Sequence, residues 1–273
     1  MPAIMQTTMS SPLPPEILDL IVDFLHNKPR ALEACCLVSK SWVHRTRKHL
    51  FARVLFCFTF CFERWKKTFP DPSNSPARYT RYLSIHRPQV VTSMGADGSG
   101  WTRSFSGVVQ LYVDIGRQSD TVSLIPLRGL SPALKSLHLA YGSPASSSEI
   151  FGFVCSFPLL EDLALISFDD NSEFDKWDIP STLPKLTGHL HLSVNDRIRP
   201  VVRQLSELPG GLHFSKISVW CLEEDVESIT DLVSMCSETL ETLIIYHHNL
   251  CEGFIFALVV GQYLTATVLC SRV

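Results

Sequence analysis

His189 and His191 stand two apart in Gly188-His189-Leu190-His191-Leu192, so on a strand both rings project from one face. His138 takes the same place in Leu137-His138-Leu139. Imidazoles on neighbouring strands are possible zinc ligands, but a zinc site takes three or four closely placed N or S donors, and no Cys accompanies these. Exposed strand histidines are the expectation, with no metal. His247 and His248 are adjacent and would point to opposite faces. Ser and Cys are plentiful, yet the chain has no Gly-x-Ser-x-Gly elbow, no His-Glu-x-x-His and no phosphate loop. The glycine-rich stretch Met94–Gly100 reads as a plain loop, lacking the Gly-Lys-Ser/Thr ending. Glu223, Glu224 and Asp225 precede an apolar run and suit the positive end of a helix. The expected chain has no cofactor and performs no catalysis itself.

The elements that carry these histidines recur. Apolar-x-apolar triplets start at Leu83, Leu111, Leu137, Leu163, Leu190, Ile217 and Leu243, at steps of 26 to 28 residues. Leu134, Leu160 and Leu240 stand three before their triplets. The Leu-x-x-Leu-x-Leu pattern and its period resemble leucine-rich repeats, whose units run ~20–29 residues. The Asn or Cys that usually follows the strand is mostly missing, so the repeats are irregular. Between triplets the spacing turns helical. Ser146 and Glu149 look like a capping box before Ile150, Phe153, Val154 and Phe157. Pro200 opens a segment with Val201, Val202, Leu205 and Leu208, and Val226, Ile229 and Val233 mark another.

Such units bury nothing alone and must stack. Their leucines would point inward, and the residues between and beside them to the other, concave side. That side would display Tyr82, His86, Tyr112, Asp114, His138, Asp162, His189, His191, Trp220 and Tyr246. Tyr and Trp are common anchors of protein interfaces, so these residues are the candidate partner-binding set.

Composition bounds the rest. The chain has 273 residues, 45% hydrophobic and 19% charged, enough to bury a substantial core. The net charge of −3 makes no case for nucleic acid as the main partner. The basic run Lys40, Arg45, Arg47, Lys48 and Arg53 reads as a solvated helix face. The nine cysteines form no Cys-x-x-Cys pair and read as reduced, which fits the cytoplasm or nucleus. No secretory signal and no Asn-x-Ser/Thr acceptor is visible. Phe254 to Cys270 is apolar over about seventeen residues, at the low edge of the ~17–25 that a membrane helix needs. Its flanks are poorly basic, so a strand-like end packed on the last unit is expected and a membrane span is not. A solenoid end normally carries a polar outer face, which this tail lacks. Arg272 stands where a prenylation signal needs an aliphatic residue.

At the other end, Leu13-Pro14-Pro15-Glu16 looks like a helix start, with proline in the first turn and an acid at the positive pole. Ile17, Leu20, Ile21, Phe24 and Leu25 form one helical stripe. A second helix carries Ala31, Leu32, Cys35 and Cys36. A third starts near Ser39, a plausible cap, and holds Trp42. Three short helices cannot cover all their apolar faces alone. Leu13-Pro14-Pro15-Glu16-Ile17-Leu18, with Leu37-Val38-Ser39-Lys40-Ser41-Trp42, resembles an F-box over residues 11–55, about a sixth of the chain. Ser39 stands where many members have Cys.

That resemblance implies an α/β protein: an N-terminal three-helix F-box, then an irregular leucine-rich-repeat solenoid with short parallel strands, as in fungal-type F-box/LRR proteins. The expected organisation is an F-box at 11–55, a connector at 56–76, the solenoid at 77–250 and an apolar tail at 251–273. Phe56 to Phe62 in the connector alternates as a strand would, or continues a helix. The implied partners are a Skp-type adaptor and a cullin, with a target protein on the solenoid. By match to the motif, the adaptor-binding candidates are Leu13, Pro14, Ile17, Leu20, Ile21, Leu37 and Val38, while Trp42 would hold the helices together. A leucine-rich scaffold outside any ligase is the alternative.

Overall fold

The computed structural model describes residues 14–96, 100–116, 123–141, 147–168, 184, 186–194, 198–208, 211–247, 255–260 and 264–267. The chain divides into two compact units, Met1–Arg53 and Val54–Val273. Ser146 and Leu13, both named above, lie outside the described residues.

The first unit consists of α1 (Pro15–Phe24), α2 (Pro29–Val38) and α3 (Lys40–Leu50). Proline opens α1 and α2, where a missing N–H costs nothing. Ser39 caps α3, its Oγ accepting from the Ser41 amide at 3.3 Å. The buried residues here are Val22, Leu32, Cys35 and Thr46. Trp42 is half-buried. Its carbonyl accepts from Thr46 Oγ1 at 2.7 Å, and Cys36 Sγ lies 2.9 Å from the same hydroxyl.

Asp23 ties α1 to α3. Its carboxylate accepts from Arg45 Nε at 2.7 Å, from Arg45 Nη2, and from His49 Nε2 at 2.7 Å. The Arg45 hydrogen bonds, then that of His49, hold the Asp23 carboxyl well below the usual carboxylate range. A depressed folded pKa stabilises above the unfolded value of ~3.9. The contribution should therefore be flat from neutral pH down to about 4, then fade as the pH falls toward the lowered folded value. Asp23→Asn is expected to cost the first unit about 1 kcal/mol, small because these side chains are about a third exposed. Urea titrations of the full-length protein at pH 7 and pH 3, followed through the Trp42 indole N–H resonance, check this. The two proteins should differ most at pH 7 and less at pH 3, where the gap is narrowed but not closed because folded Asp23 is still ionised there; an equal gap at both values counts against the pairing.

The second unit is built on one sheet whose strand order is the chain order. Its strands are β1 (Arg53–Phe56), β2 (Tyr82–His86), β3 (Gln110–Gly116), β4 (Ser136–Tyr141), β5 (Asp162–Phe168), β6 (His189–Val194), β7 (Lys216–Cys221), β8 (Thr242–His247), β9 (Ile255–Val260) and β10 (Leu264–Thr267). β2 through β8 are parallel neighbours, and β9 and β10 add antiparallel. The fold class is α/β. The helices between strands are α4 (Thr59–Thr68), α5 (Pro88–Ala96), α6 (Trp101–Ser104), α7 (Ser147–Val154), α8 (Arg199–Ser206) and α9 (Val226–Met235).

Register explains the period. Leu83, Leu111, Leu137, Leu163, Leu190, Ile217 and Leu243 pair in one row. Ile85, Val113, Leu139, Leu165, Leu192, Val219 and Ile245 pair in the next. Both rows belong to the core, with Ile150, Phe153, Val154, Val201, Leu205, Ile229 and Leu232 of the connecting helices. Dehydrating a leucine of this kind contributes about 2 kcal/mol.

Two stretches differ from the sequence expectation. In the connector, β1 ends at Phe56 and α4 starts at Thr59, so the alternation breaks after the strand. Phe56 then packs edge-on against Phe62, Trp65 and Phe105, at centroid distances of 5.3, 5.8 and 6.1 Å. Residues 94–96 belong to α5 rather than to a loop, because Met94 is buried in the core. Glu149, expected in a capping box, accepts from Ser123 Oγ at 2.7 Å and the Leu124 amide at 2.6 Å. Asp225 does what an acid before a helix should. Buried, it accepts from the Leu222 amide at 3.0 Å, and also from the Ile198 amide at 3.2 Å, joining successive units.

Gly107 is required by a close backbone approach. A Cβ there would meet the Arg78 carbonyl oxygen at 2.5 Å and that of Thr80 at 3.1 Å. Gly107→Ala is expected to destabilise by about 1–3 kcal/mol, the usual range for overpacking. Thermal melts against wild type read it; an unchanged melting temperature refutes the contact.

Candidate functional site

The face of the parallel sheet opposite the leucine rows carries three registered rows of side chains. One runs Tyr82, Gln110, Ser136, Asp162, then His189, Lys216 and Thr242. The middle row is Ser84, Tyr112, His138, Ala164, His191, Ser218 and Ile244. The third is His86, Asp114, Ala140, Ile166, Ser193, Trp220 and Tyr246. Every candidate for this face named from the sequence therefore stands on it, in neighbouring rows. Alternation forces this once the leucines are buried.

The rings on this face touch in series. His86 and Tyr112 lie 5.2 Å apart, and Tyr112 and His138 6.3 Å. At the far end, Trp220 and Tyr246 stack at 4.7 Å with planes 12° apart, and Trp220 remains 40% exposed. Small residues separate these groups: Ala164 stands between His138 and His191, and Ser218 follows. Ser218 Oγ bonds His189 Nε2 at 2.9 Å, and Asp162 Oδ1 accepts from the His189 amide at 2.7 Å.

Desolvation pushes His138, His189 and His191 below the ordinary imidazole value; Lys216 adds to the shift at His189, and His138 to that at His191. At neutral pH these rings are uncharged, acting as polar aromatic contacts. No group of three or more His, Cys, Asp or Glu among the described residues is placed to hold a metal ion.

Register also brings together residues that the sequence keeps apart. Ser84 Oγ lies 2.9 Å from His86 Nε2, and His86 Nδ1 lies 3.3 Å from Asp114 Oδ2. Asp114 Oδ1 accepts from the Gly116 amide at 3.0 Å. A hydroxyl, an imidazole and a carboxylate in that order match the bonding of a hydrolytic triad. Ser84, however, is only 2% exposed, so a substrate carbonyl has no approach to Oγ. In this arrangement the relay fixes the His86 ring rather than activating a nucleophile. The described cysteines are free thiols, and burial pushes Cys155 and Cys221 up to about 11.

The first unit offers a second surface. Ile17, Leu20, Ile21 and Phe24 of α1 are exposed, Leu20 by 64% and Phe24 by 78%. At the end of α2, Leu37 is 89% and Val38 71% exposed. Pro14 is exposed as well. The stripe read from the spacing of α1 thus faces outward, and Val22, on its other side, enters the core. Leu55, Phe58 and Phe60 are exposed in the second unit, and no sequence period marks them, since Phe56 and Phe62, in step with Phe58 and Phe60, are buried.

The second unit is thus a parallel sheet with one leucine-filled face and one ring-lined polar face, and the first a helical unit with an uncovered apolar stripe. No family model, curated protein or solved structure matches the chain. Among the described residues, no helix is long and apolar enough to cross a membrane.

Proposed function

We propose that this chain is a substrate receptor of a cullin–RING ubiquitin ligase of the SCF type. Its helical unit acts as an F-box that docks a Skp-type adaptor. Its sheet acts as a leucine-rich-repeat solenoid whose ring-lined face takes a target protein. The receptor performs no chemistry; it raises the local concentration of target near a ubiquitin-charged enzyme. The observation that carries this reading is the exposure of Leu20 on α1 and of Leu37 and Val38 at the end of α2, large apolar side chains held in water on a small helical unit. An exposed apolar group on that scale marks a docking surface. The resemblance of these positions to the F-box motif supports a Skp-type adaptor as the partner.

The test is size-exclusion chromatography of the full-length chain with a purified Skp-type adaptor. Co-elution as a stoichiometric complex supports the reading; separate elution at tens of micromolar overturns it. A scaffold acting outside any ligase would also co-elute. Reconstitution with cullin, RING subunit and charged conjugating enzyme separates the two, because only a receptor directs ubiquitin onto a captured target.

A further inference from the structure

We infer that the target segment taken by the open face is an uncharged polyproline-type stretch, Pro-x-x-Pro, lying across the strands along the third row with its two prolines over Ser193 and Ala140. This rests on the target-receptor reading of that face and adds the chemistry of the segment. From β3 to β8 the row reads Asp114, Ala140, Ile166, Ser193, Trp220 and Tyr246. Large and small side chains alternate from Asp114 to Trp220. Ala140 and Ser193 are both partly open to solvent. The small residues of the middle row are not: Ala164 and Ser218 are each 3% exposed, and Ser218 Oγ is already bonded to His189. The reachable notches are therefore those of the third row.

Trp220 walls the first notch. It pairs in register with Tyr246, and their centroid distance of 4.7 Å matches the ~4.8 Å between neighbouring strands. Each ring thus stands over its own strand, with one indole face against Tyr246. The other indole face is turned toward β6, where the next residue of the row is the small Ser193. Aromatic faces of this kind line the grooves that take proline-rich segments. Ile166 closes the far side of that notch and the near side of the next, over Ala140.

Spacing selects the conformation. Ala140 on β4 and Ser193 on β6 lie two strands apart, ~9.6 Å. A polyproline helix repeats every three residues with a rise of ~3.1 Å each, so its same-side residues stand ~9.3 Å apart. A β-strand laid along the row would offer same-side residues at ~6.7 or ~13.4 Å, and an α-helix at ~5.4 or ~10.8 Å. These miss the notches by more than an ångström. Charge agrees with spacing. From Ala140 to Tyr246 the row has no Asp, Glu, Lys or Arg, and the middle row beside it has Ala164, His191, Ser218 and Ile244. Desolvation, then His138, pushes the His191 imidazole below its ordinary value, so it too is uncharged at neutral pH. Asp114, beyond Ala140, is already held by His86 Nδ1 and the Gly116 amide. A charged side chain over Ser193 would lose hydration without gaining a partner, whereas a proline ring has no charge to desolvate. Proline also arrives preorganised, so less ordering entropy opposes binding.

The probe is the peptide Ala-Pro-Ala-Ala-Pro-Ala-Ala-Pro-Ala, amidated and fluorescein-labelled, titrated with full-length protein and read by fluorescence anisotropy. Saturable binding is expected, with a dissociation constant of about a tenth of a millimolar. The Trp220 indole N–H resonance of nitrogen-15-labelled full-length protein should shift in step. A peptide of the same composition with its prolines two apart, Ala-Ala-Pro-Ala-Pro-Ala-Pro-Ala-Ala, should bind at least tenfold more weakly, and so should the probe with lysine in place of its prolines. Ser193→Leu and Ala140→Leu fill one notch each, and Trp220→Ala removes the wall. Each should weaken binding at least tenfold while the melting temperature stays near that of wild type. If one of them does not fold, the other two and the peptide comparison on wild type still decide. No binding of the probe, an unmoved Trp220 resonance, equal or tighter binding of either control peptide, or undiminished binding by a folded variant would each overturn the inference. The adaptor experiment reads the helical unit, so either experiment can fail while the other succeeds.

Discussion

Leu37→Asp is expected to abolish co-elution with a Skp-type adaptor while leaving the fold intact. Leu37 is 89% exposed, so a carboxylate there stays in water in the free protein and costs the helical unit little. In a complex, the same carboxylate would be buried against apolar surface without a partner. Interface anchors cost ~2–4 kcal/mol when truncated, and an unpaired charge costs more. Binding should fall by at least a hundredfold. Leu20→Asp on α1 should behave alike, since Leu20 is similarly uncovered. Lys48→Ala, an exposed change on α3 away from the apolar stripe, is the control expected to bind normally. Calorimetric titration with the adaptor measures all three. Wild-type affinity in Leu37→Asp would remove the F-box assignment, whatever the sheet does.

Leu165→Ala should produce the largest loss of stability of any single change proposed here, about 2–5 kcal/mol. Leu165 is fully buried in β5, and its register neighbours Leu139 and Leu192 are fully buried too. The cavity would open in the middle of the row, where flanking strands are fixed by their own neighbours and cannot collapse into it. His138→Ala, one position away from Leu139 on the open face, should stay within about 0.5 kcal/mol. The contrast tests the alternation itself. Equal losses from both substitutions, measured by urea denaturation, would mean that the two faces are not distinguished as described.

The leucine rows were legible because burial on one face of a strand writes itself into the sequence with period two, and stacking repeats it every 26 to 28 residues. The open face followed from the same alternation. The connector was not legible. Phe56, Phe58, Phe60 and Phe62 share one residue type, yet Phe56 and Phe62 are buried and Phe58 and Phe60 exposed, because the chain passes from β1 into α4 between them. Periodicity likewise shows that α1 has an apolar face, but not whether the chain covers it. Arg87, with φ at 122°, gave no signal at all. Its unusual backbone comes from a ladder bond to a strand 27 residues away and a proline that follows, neither of which its own identity records. The Ser84–His86–Asp114 relay is invisible for the same reason: only pairing of β2 with β3 assembles it.

The coincidence of strand order with chain order makes the open face extensible in evolution. Among the described residues, each strand from β2 to β8 pairs only with the strand before it and the strand after it, so a unit of 26 to 28 residues can be duplicated or deleted without severing a distant pairing. One duplication lengthens the face by the spacing between strands, ~4.8 Å. The length of the open face is thus set by the number of units, while the rows on each strand are free to change letter by letter. A lineage carrying this fold can alter the span of that face and its chemistry as separate events.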